Sequence, residues 1–253
     1  NGFRHIDTAC QPKHYNEAGV GRGWRRAANE LGLEREDIFI QTKFTTLSGQ
    51  DPDRLPYDQG AELTEQVKQS FEASLKNLNT DYIDSLVMHG PEDSWEKTLA
   101  VWRVFETFVE KGKVRQLGVS NMYDPSAVEY LYKNTSVKPA VVQNRFYADS
   151  GHDKEIRKFC LDHSMEYQSF WTLGANRHVI DDSKVKALAV QKGLTPETLM
   201  YAFVMAIGAT PLDGTTSETH MKEDIAMLNR IQSGVPVFES DIELKIMSSL
   251  LEI

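Results

Sequence analysis

The 253-residue chain is poor in the features that mark several classes of protein. Its only two cysteines, Cys10 and Cys160, are too few for a disulfide framework and have no metal-type spacing. No apolar run approaches the roughly 20 residues that a membrane-spanning helix needs, and residues 1–25 contain no apolar signal region. A formal net charge of −9 argues against nucleic acid and anionic membranes as general partners. We therefore expect a cytoplasmic protein with neither kind of partner.

The chain also lacks the motifs of the commonest hydrolases and metalloenzymes. It contains no HExxH, no GxSxG and no paired His/Cys ligand spacing, so we expect no metal site. Hydrophobic residues make up 40% of the sequence and charged residues 26%, which is ordinary for a soluble globular protein. The length allows a substantial core. We predict one domain over residues 1–253.

Short apolar runs alternate with amphipathic stretches along the whole chain. Strands are predicted at 3–9, 38–44, 82–89, 114–121, 139–146, 166–173 and, weakly, 209–214. Strands that are separated by helices of 10 to 20 residues indicate parallel βαβ units. Seven such units in a row favour an α/β fold of the (β/α)8 TIM-barrel type, with the first βα unit missing from this chain.

The helical stretches show a spacing of three and four residues between apolar side chains. One predicted helix runs up to about Gly32, and another carries Leu63, Val67, Phe71 and Leu75 on one face. The glycines of GVGRGW, residues 19–24, superficially match a phosphate-binding loop. No strand directly precedes them and their spacing is G-x-G-x-G, so we predict a glycine-rich helix instead.

Four ionisable side chains stand at or just after predicted strand ends. Asp7 ends the first strand, Lys43 the second and His89 the third, while Tyr15 lies in the loop after the first. In a barrel of this type, the C-terminal ends of the strands converge on one mouth. Each residue alone is more often structural, but burying several charges together without a function is costly.

This set of side chains favours proton delivery to a carbonyl oxygen. A tyrosine hydroxyl has an ordinary pKa near 10, and we expect the Lys43 ammonium to lower the pKa of Tyr15. Asp7 would keep Lys43 charged, and a neutral His89 would orient the carbonyl. Such a reduction needs a hydride donor, and the residues supply no redox group, so a nicotinamide cofactor is implied.

Six stretches resemble the aldo-keto reductases, in order and over nearly the full chain: GFRHIDTA, NE..VG, QTKF, the strand-terminal His89 followed by Pro91, EKGKVRQLGVSN, and KPAVVQN. The resemblance implies a (β/α)8 barrel that binds NADPH across its mouth and reduces an aldehyde or ketone. It implies catalytic roles for Asp7, Lys43 and His89. The nicotinamide contacts would be Ser120, Asn121, Gln143 and a ring-stacking Phe170 in FWTLG.

The resemblance is weaker around the predicted proton donor. The family usually has Tyr, one residue, then Asn-Glu, whereas Tyr15 here directly precedes Asn16 and Glu17, and His14 holds the usual spacing. The segment CQPK also lengthens the loop. Either the longer loop brings Tyr15 into the place of the acid, or His14 serves. We favour Tyr15, because a phenol can give a proton and be held by Lys43.

The segment that resembles the adenosine-phosphate end also departs from the family, because its usual Lys and Arg are absent and Asp213 adds a negative charge. A 2′-phosphate prefers cationic partners. A helix beginning near Ser217 can still offer backbone N–H groups. NADPH is the expectation and NADH stays open; the predicted contacts are Thr215, Thr216, Ser217, His220 and Asp224.

Three functions compete. The first is an NAD(P)H-dependent reductase that acts on a small-molecule carbonyl substrate, with Tyr15 as the general acid. The second is a catalytically weak or inactive relative that binds a nucleotide or a partner. The third is a barrel lyase or isomerase that uses Lys43 as a Schiff base. The sequence determines neither the substrate nor the oligomeric state.

Overall fold

The computed structural model describes residues 2–253, which contain seven β-strands. All seven predicted strands are confirmed within three residues at each end. Their bounds are β1 His5–Asp7, β2 Phe39–Phe44, β3 Ile83–Met88, β4 Val114–Ser120, β5 Val141–Arg145, β6 Glu166–Phe170 and β7 Ala209–Pro211.

Helices separate successive strands, as the βαβ pattern predicts. Over the same residues their bounds are α1 Glu17–Leu31, α2 Leu63–Leu78, α3 Trp95–Glu110, α4 Pro125–Asn134, α5 Lys154–Asp162, α6 Arg177–Ile180, α7 Ser183–Lys192, α8 Pro196–Ala206, α9 Glu218–Gln232 and α10 Asp241–Leu251.

The described residues group into two compact units. The first is Arg4–Val142, and the second is Gln143–Ile253 together with residues 2–3. In the first unit β1, β2, β3 and β4 pair in chain order, and every pairing is parallel. In the second unit β6 pairs with β7 in parallel, with Tyr167 opposite Ala209. The prediction of a single domain stays a prediction.

Register places the strand ends of the first unit at one edge. Asp7 pairs with Gln41, Lys43 with Val87, and Val87 with Gly118. Because parallel strands in register end at the same edge of a sheet, the side chains that follow these strands share one rim.

Helix α1 helps to place Tyr15, because Asn16, the cap of the helix, directly follows that residue. Asn16 caps the helix by accepting a hydrogen bond from the Gly19 N–H at 2.9 Å. Gly32 ends the helix in the left-handed conformation, with φ of 65°. GVGRGW lies inside α1, so the prediction of a helix there is confirmed.

Two packing contacts anchor α1 on α2. The indole of Trp24 donates to the Leu78 carbonyl at 2.7 Å, and both side chains are buried. A Cβ on Gly21 would lie 2.0 Å from the Asn77 carbonyl oxygen, so only glycine lets the two backbones approach this closely.

A buried carboxylate holds the opposite ends of the strands in the first unit. Asp84 is 2% exposed and binds the Arg35 guanidinium at 2.7 Å and that of Arg115 at 3.0 Å. It also accepts from the Ile40 N–H at 2.9 Å. These contacts join β2, β3 and β4, and therefore help to fix the register that builds the rim.

The helices α6, α8 and α10 were not predicted from the sequence. In α8, Pro196 stands at the first turn, Thr195 caps the helix, and seven of its eleven residues are buried. A helix that is buried nearly all round shows no apolar stripe, so the spacing that revealed the other helices is absent.

Candidate active site

An ion pair between β1 and β2 forms the base of the candidate site. The Lys43 Nζ donates to the Asp7 carboxylate at 2.7 Å and to the Thr8 carbonyl at 2.8 Å. The side chain of Lys43 is fully buried, whereas that of Asp7 is 21% exposed. Gln41 donates to the second Asp7 oxygen at 2.7 Å. A buried ammonium needs such partners, and the register of β1 and β2 supplies them.

The loop after β1 turns Tyr15 toward this ion pair. The backbone N–H groups of His14 and Tyr15 both donate to the Gln11 carbonyl, at 3.1 and 3.0 Å. The Lys43 Nζ lies 5.4 Å from the centroid of the Tyr15 ring. That ring meets the His89 ring edge-on, with the centroids 5.9 Å apart. His14 is exposed, so the longer loop brings Tyr15 rather than His14 against Lys43 and His89.

The acidity of Tyr15 differs from the expectation. Burial of the hydroxyl, followed by the negative charge of Asp7, raises the pKa of Tyr15 to about 12. The expected lowering of the pKa of Tyr15 is therefore wrong for the chain without a ligand, because burial and the charge of Asp7 dominate the shift. Within residues 2–253, no hydrogen bond joins the Tyr15 hydroxyl to Lys43 or His89.

His89 follows β3 and is electrically neutral at physiological pH. Burial, followed by the charge of Lys43, lowers the pKa of His89 to about 4. Its backbone N–H continues the ladder to the Phe44 carbonyl at 2.9 Å, and the Asn121 amide donates to its carbonyl at 2.8 Å. Its ring Nδ1 lies 2.7 Å from the Thr45 hydroxyl. A neutral imidazole held at three points matches the predicted orienting group.

Two polar residues end β4 beside His89. Ser120 is completely buried, and Asn121 adopts the left-handed conformation, with φ of 54°. The Tyr123 hydroxyl donates to the Asn121 side-chain oxygen at 3.1 Å. The strained backbone of Asn121 is fixed on both sides, by His89 and by Tyr123, which is typical of residues at functional sites.

The predicted contacts on β5 and β6 lie in the second unit. Gln143 is buried and donates to the Gln168 side-chain oxygen at 2.9 Å. Phe170 is half-buried at the end of β6, and Trp171 beyond it is 60% exposed and left-handed, with φ of 56°. The Arg145 guanidinium lies 4.2 Å from the Trp171 ring centroid.

The loop between β7 and α9 carries the other predicted contacts. Ser217 caps α9 through the His220 N–H, and the Thr215 hydroxyl accepts from the Ser217 N–H at 3.0 Å. Thr216 and His220 are exposed. Asp224 instead is buried, and burial followed by the charge of Asp213 raises its pKa to about 6. These features leave the cofactor roles of the five residues as predictions.

Sequence analysis did not identify Thr45 or Gln41 as parts of this site. Each is buried and contacts a predicted catalytic side chain. Both contacts follow from strand register. Gln41 on β2 is opposite Asp7 on β1, and the hydrogen bond from the His89 N–H to the Phe44 carbonyl brings Thr45 beside His89. A register estimate for the predicted strands was the signal that could have revealed them.

The described part of the chain holds neither a cluster of metal ligands nor a membrane-spanning helix. Nowhere in it do three His, Cys, Asp or Glu side chains come together as metal ligands. None of the helices in residues 2–253 has the length and apolarity to span a membrane. Both cysteines are buried and unpaired.

Known proteins resemble this chain in sequence and in fold. A glyoxal reductase of Bacillus subtilis is 33% identical over 190 residues, which cover 75% of this chain and 60% of that relative. An aldo/keto reductase of Brucella melitensis superposes with a TM-score of 0.76 at 26% identity, over 98% of this chain and 84% of that one. An aldo-keto reductase of the silkworm Bombyx mori, solved in complex with NADPH, superposes at 0.74 with 22% identity, over 99% and 74%.

The prediction of a (β/α)8 fold whose first βα unit is missing from this chain is confirmed by these structures and by the strands described above. Residues 1–233 match the model of the aldo/keto reductase family. The chain therefore belongs to the aldo/keto reductase family, and it is an oxidoreductase.

Proposed function

We propose that this enzyme reduces an aldehyde or ketone to an alcohol, with a nicotinamide as hydride donor and Tyr15 as the proton donor. The observation that supports this most directly is the cluster of Asp7, Tyr15, Lys43 and His89 at one rim. The glyoxal reductase among the relatives supports a small carbonyl compound as the substrate.

Tyr15 is suited to keep its proton until the transition state. With a pKa of about 12, the phenol is fully protonated at neutral pH. As hydride reaches the carbonyl carbon, negative charge develops on the carbonyl oxygen and makes it basic enough to take that proton. The phenolate that remains is stabilised by the Lys43 ammonium, which Asp7 holds in place.

His89 is suited to orient the carbonyl. A neutral imidazole can donate a hydrogen bond to the oxygen without competing with Tyr15 for proton transfer. Schiff-base chemistry does not match Lys43, because its fully buried Nζ is held by Asp7 and Thr8. The lyase alternative therefore has no support from the site.

The residues at the strand ends fit a nicotinamide cofactor. A carboxamide needs hydroxyl and amide partners, and the buried Ser120 and the half-buried Asn121 offer both kinds beside His89. The family resemblance adds the buried Gln143 and the half-buried Phe170 as proposed contacts. The cofactor, when bound, supplies the hydride. We propose NADPH, with its 2′-phosphate toward Thr215, Thr216, Ser217 and His220 at the start of α9, although Asp213 and Asp224 leave NADH as the alternative.

Replacing Tyr15 tests the proton donor. We expect Tyr15→Phe to lower kcat for an aromatic aldehyde by about 10²–10⁴-fold, because the general acid is removed while the ring keeps its place. Turnover is followed by absorbance of the reduced nicotinamide, and cofactor binding by fluorescence quenching, which should be unchanged.

His14→Ala is the matched control and should keep its activity. Full activity in Tyr15→Phe together with loss in His14→Ala would overturn the assignment. If the wild-type chain binds NADPH but reduces none of a panel of aldehydes and ketones, the binding-protein alternative is favoured over catalysis.

A further inference from the structure

Thr45, which follows β2, is in direct contact with the candidate carbonyl-orienting residue. Its hydroxyl oxygen lies 2.7 Å from the His89 Nδ1. The pair is a consequence of register, since Phe44 is opposite Met88 and the ladder continues from the His89 N–H to the Phe44 carbonyl. The residue after β2 is thereby brought beside the residue after β3.

Several contacts hold Thr45 rigidly. It is 3% exposed. Its carbonyl accepts from the Tyr57 hydroxyl at 2.9 Å and from the Gln50 side-chain amide at 3.4 Å. Its methyl group packs against Gly49, where a Cβ would come within 2.8 Å. The hydroxyl therefore has a fixed position, and His89 is held in place through its backbone.

The direction of the hydrogen bond follows from the available acceptors. Among residues 2–253 the Thr45 hydroxyl makes no hydrogen bond except that with His89. A buried hydroxyl must donate its proton to some acceptor, because leaving it unpaired costs free energy. Among the described residues, the acceptor that the hydroxyl contacts is the His89 Nδ1, and we infer that Nδ1 carries a lone pair.

We propose that Thr45 is a positioning residue that fixes His89 in the tautomer protonated at Nε2. Nε2 makes no hydrogen bond with any described residue, so its N–H is available for a ligand oxygen. The function of that N–H as the donor to a carbonyl rests on the proposed reduction; the tautomer itself does not. Without Thr45, the ring would populate both tautomers, and the one protonated at Nδ1 presents a lone pair that repels a carbonyl oxygen.

The tautomer is measured first, on the full chain without any ligand. The chain is labelled with ¹⁵N-histidine, and the spectrum of His89 is assigned by its loss in His89→Gln, one of seven histidines. We expect Nδ1 at the shift of an unprotonated ring nitrogen and Nε2 at that of a protonated one. A protonated Nδ1 in the wild-type chain overturns the proposal, whether or not any variant folds.

Two substitutions then separate positioning from packing. Thr45→Val removes the hydroxyl at nearly constant volume, and we expect mixed tautomers and a kcat lowered about tenfold, the loss of one hydrogen bond of about 1.4 kcal/mol. Thr45→Ser keeps the hydroxyl and should restore both the single tautomer and most of kcat. Thr46→Val, at the neighbouring residue whose hydroxyl contacts Ser48, is the control and should change neither.

The outcomes distinguish this proposal from the proposed function. If Thr45→Val keeps a pure Nε2–H tautomer, or Thr45→Ser does not restore it, Thr45 has no positioning role. If the tautomer shifts as expected but the wild-type chain reduces no carbonyl compound, the assignment of Thr45 stands and the proposed reduction fails.

Discussion

Burial, followed by the charges of one ion pair, determines the charge state of the neighbouring catalytic candidates. Burial, followed by the charge of Asp7, raises the pKa of Tyr15 even though Lys43 lies beside the ring and is paired with Asp7. Burial, followed by the charge of Lys43, lowers the pKa of His89 and keeps its ring neutral. Residue types at strand ends predict which side chains meet, but the sign of a pKa shift depends on which partner each charge contacts and how deeply it is buried.

The lowered pKa of His89 makes stability depend on pH. The folded pKa is about 4, below the ordinary value near 6.5, so between these values the unfolded chain binds more protons. The stabilisation that comes from a neutral, buried His89 is fully present above about pH 6.5, and it decreases as the pH falls toward 4. Between about pH 7 and pH 5 we expect His89 to account for a loss of about 2 kcal/mol in the free energy of unfolding.

Urea unfolding at the two pH values measures this contribution. His89→Gln, which can still contact Thr45 but does not titrate, should lose about 2 kcal/mol less than the wild-type chain on going to pH 5. His14→Gln removes an exposed histidine and should behave like the wild type. Equal pH dependence in His89→Gln and wild type would show that His89 has no lowered pKa.

At the scale of elements, α1 holds two glycines whose environments are opposite. Gly21 faces the end of α2, where a Cβ would lie 2.0 Å from the Asn77 carbonyl oxygen, whereas Gly23 has nothing within 4 Å. We expect Gly21→Ala to lower the free energy of unfolding by about 3 kcal/mol, because backbone atoms must move. Gly23→Ala should raise it by about 0.5–1 kcal/mol, because alanine is the better helix former.

Chemical unfolding of the two variants checks this, with Gly23→Ala as the matched control. A destabilised Gly21→Ala is expected to be less active as well, since α1 begins two residues after Tyr15. If both alanine variants are more stable than the wild-type chain, the backbones of α1 and α2 do not approach each other as closely as described.

The sequence predicted most elements because their patterns are local. Half-buried helices such as α2 show their periodicity whatever they contact. The buried helix α8 was missed, since its residues are enclosed on nearly every side and carry no stripe. The GVGRGW segment could be assigned to a helix because a phosphate loop requires a preceding strand, and the sequence has none there.

At the scale of the whole molecule, cofactor binding should stabilise the folded chain. A ligand that binds only the folded state raises the free energy of unfolding by about 2.7 kcal/mol at a concentration 100-fold above its Kd. For a chain of this size we expect the Tm to rise by about 5–10 °C with NADPH. Differential scanning fluorimetry with NADPH and with NADH measures both.

The comparison of the two nucleotides identifies the preferred cofactor. A larger shift with NADPH supports a 2′-phosphate contact at the start of α9, and a larger shift with NADH indicates that Asp213 and Asp224 exclude it. No shift with either nucleotide would contradict the proposed cofactor.

The sequence by itself determined the order of strands and helices, the family, and the candidates Asp7, Tyr15, Lys43 and His89. These follow from patterns that are local along the chain, from strand ends that parallel pairing brings to one rim, and from motifs that resemble a known family. Only the tertiary structure decided that Tyr15 rather than His14 lies against Lys43, that the pKa of Tyr15 is raised, and that Thr45 binds His89. Loop path, burial and strand register determine these features, and each depends on residues far apart in the sequence.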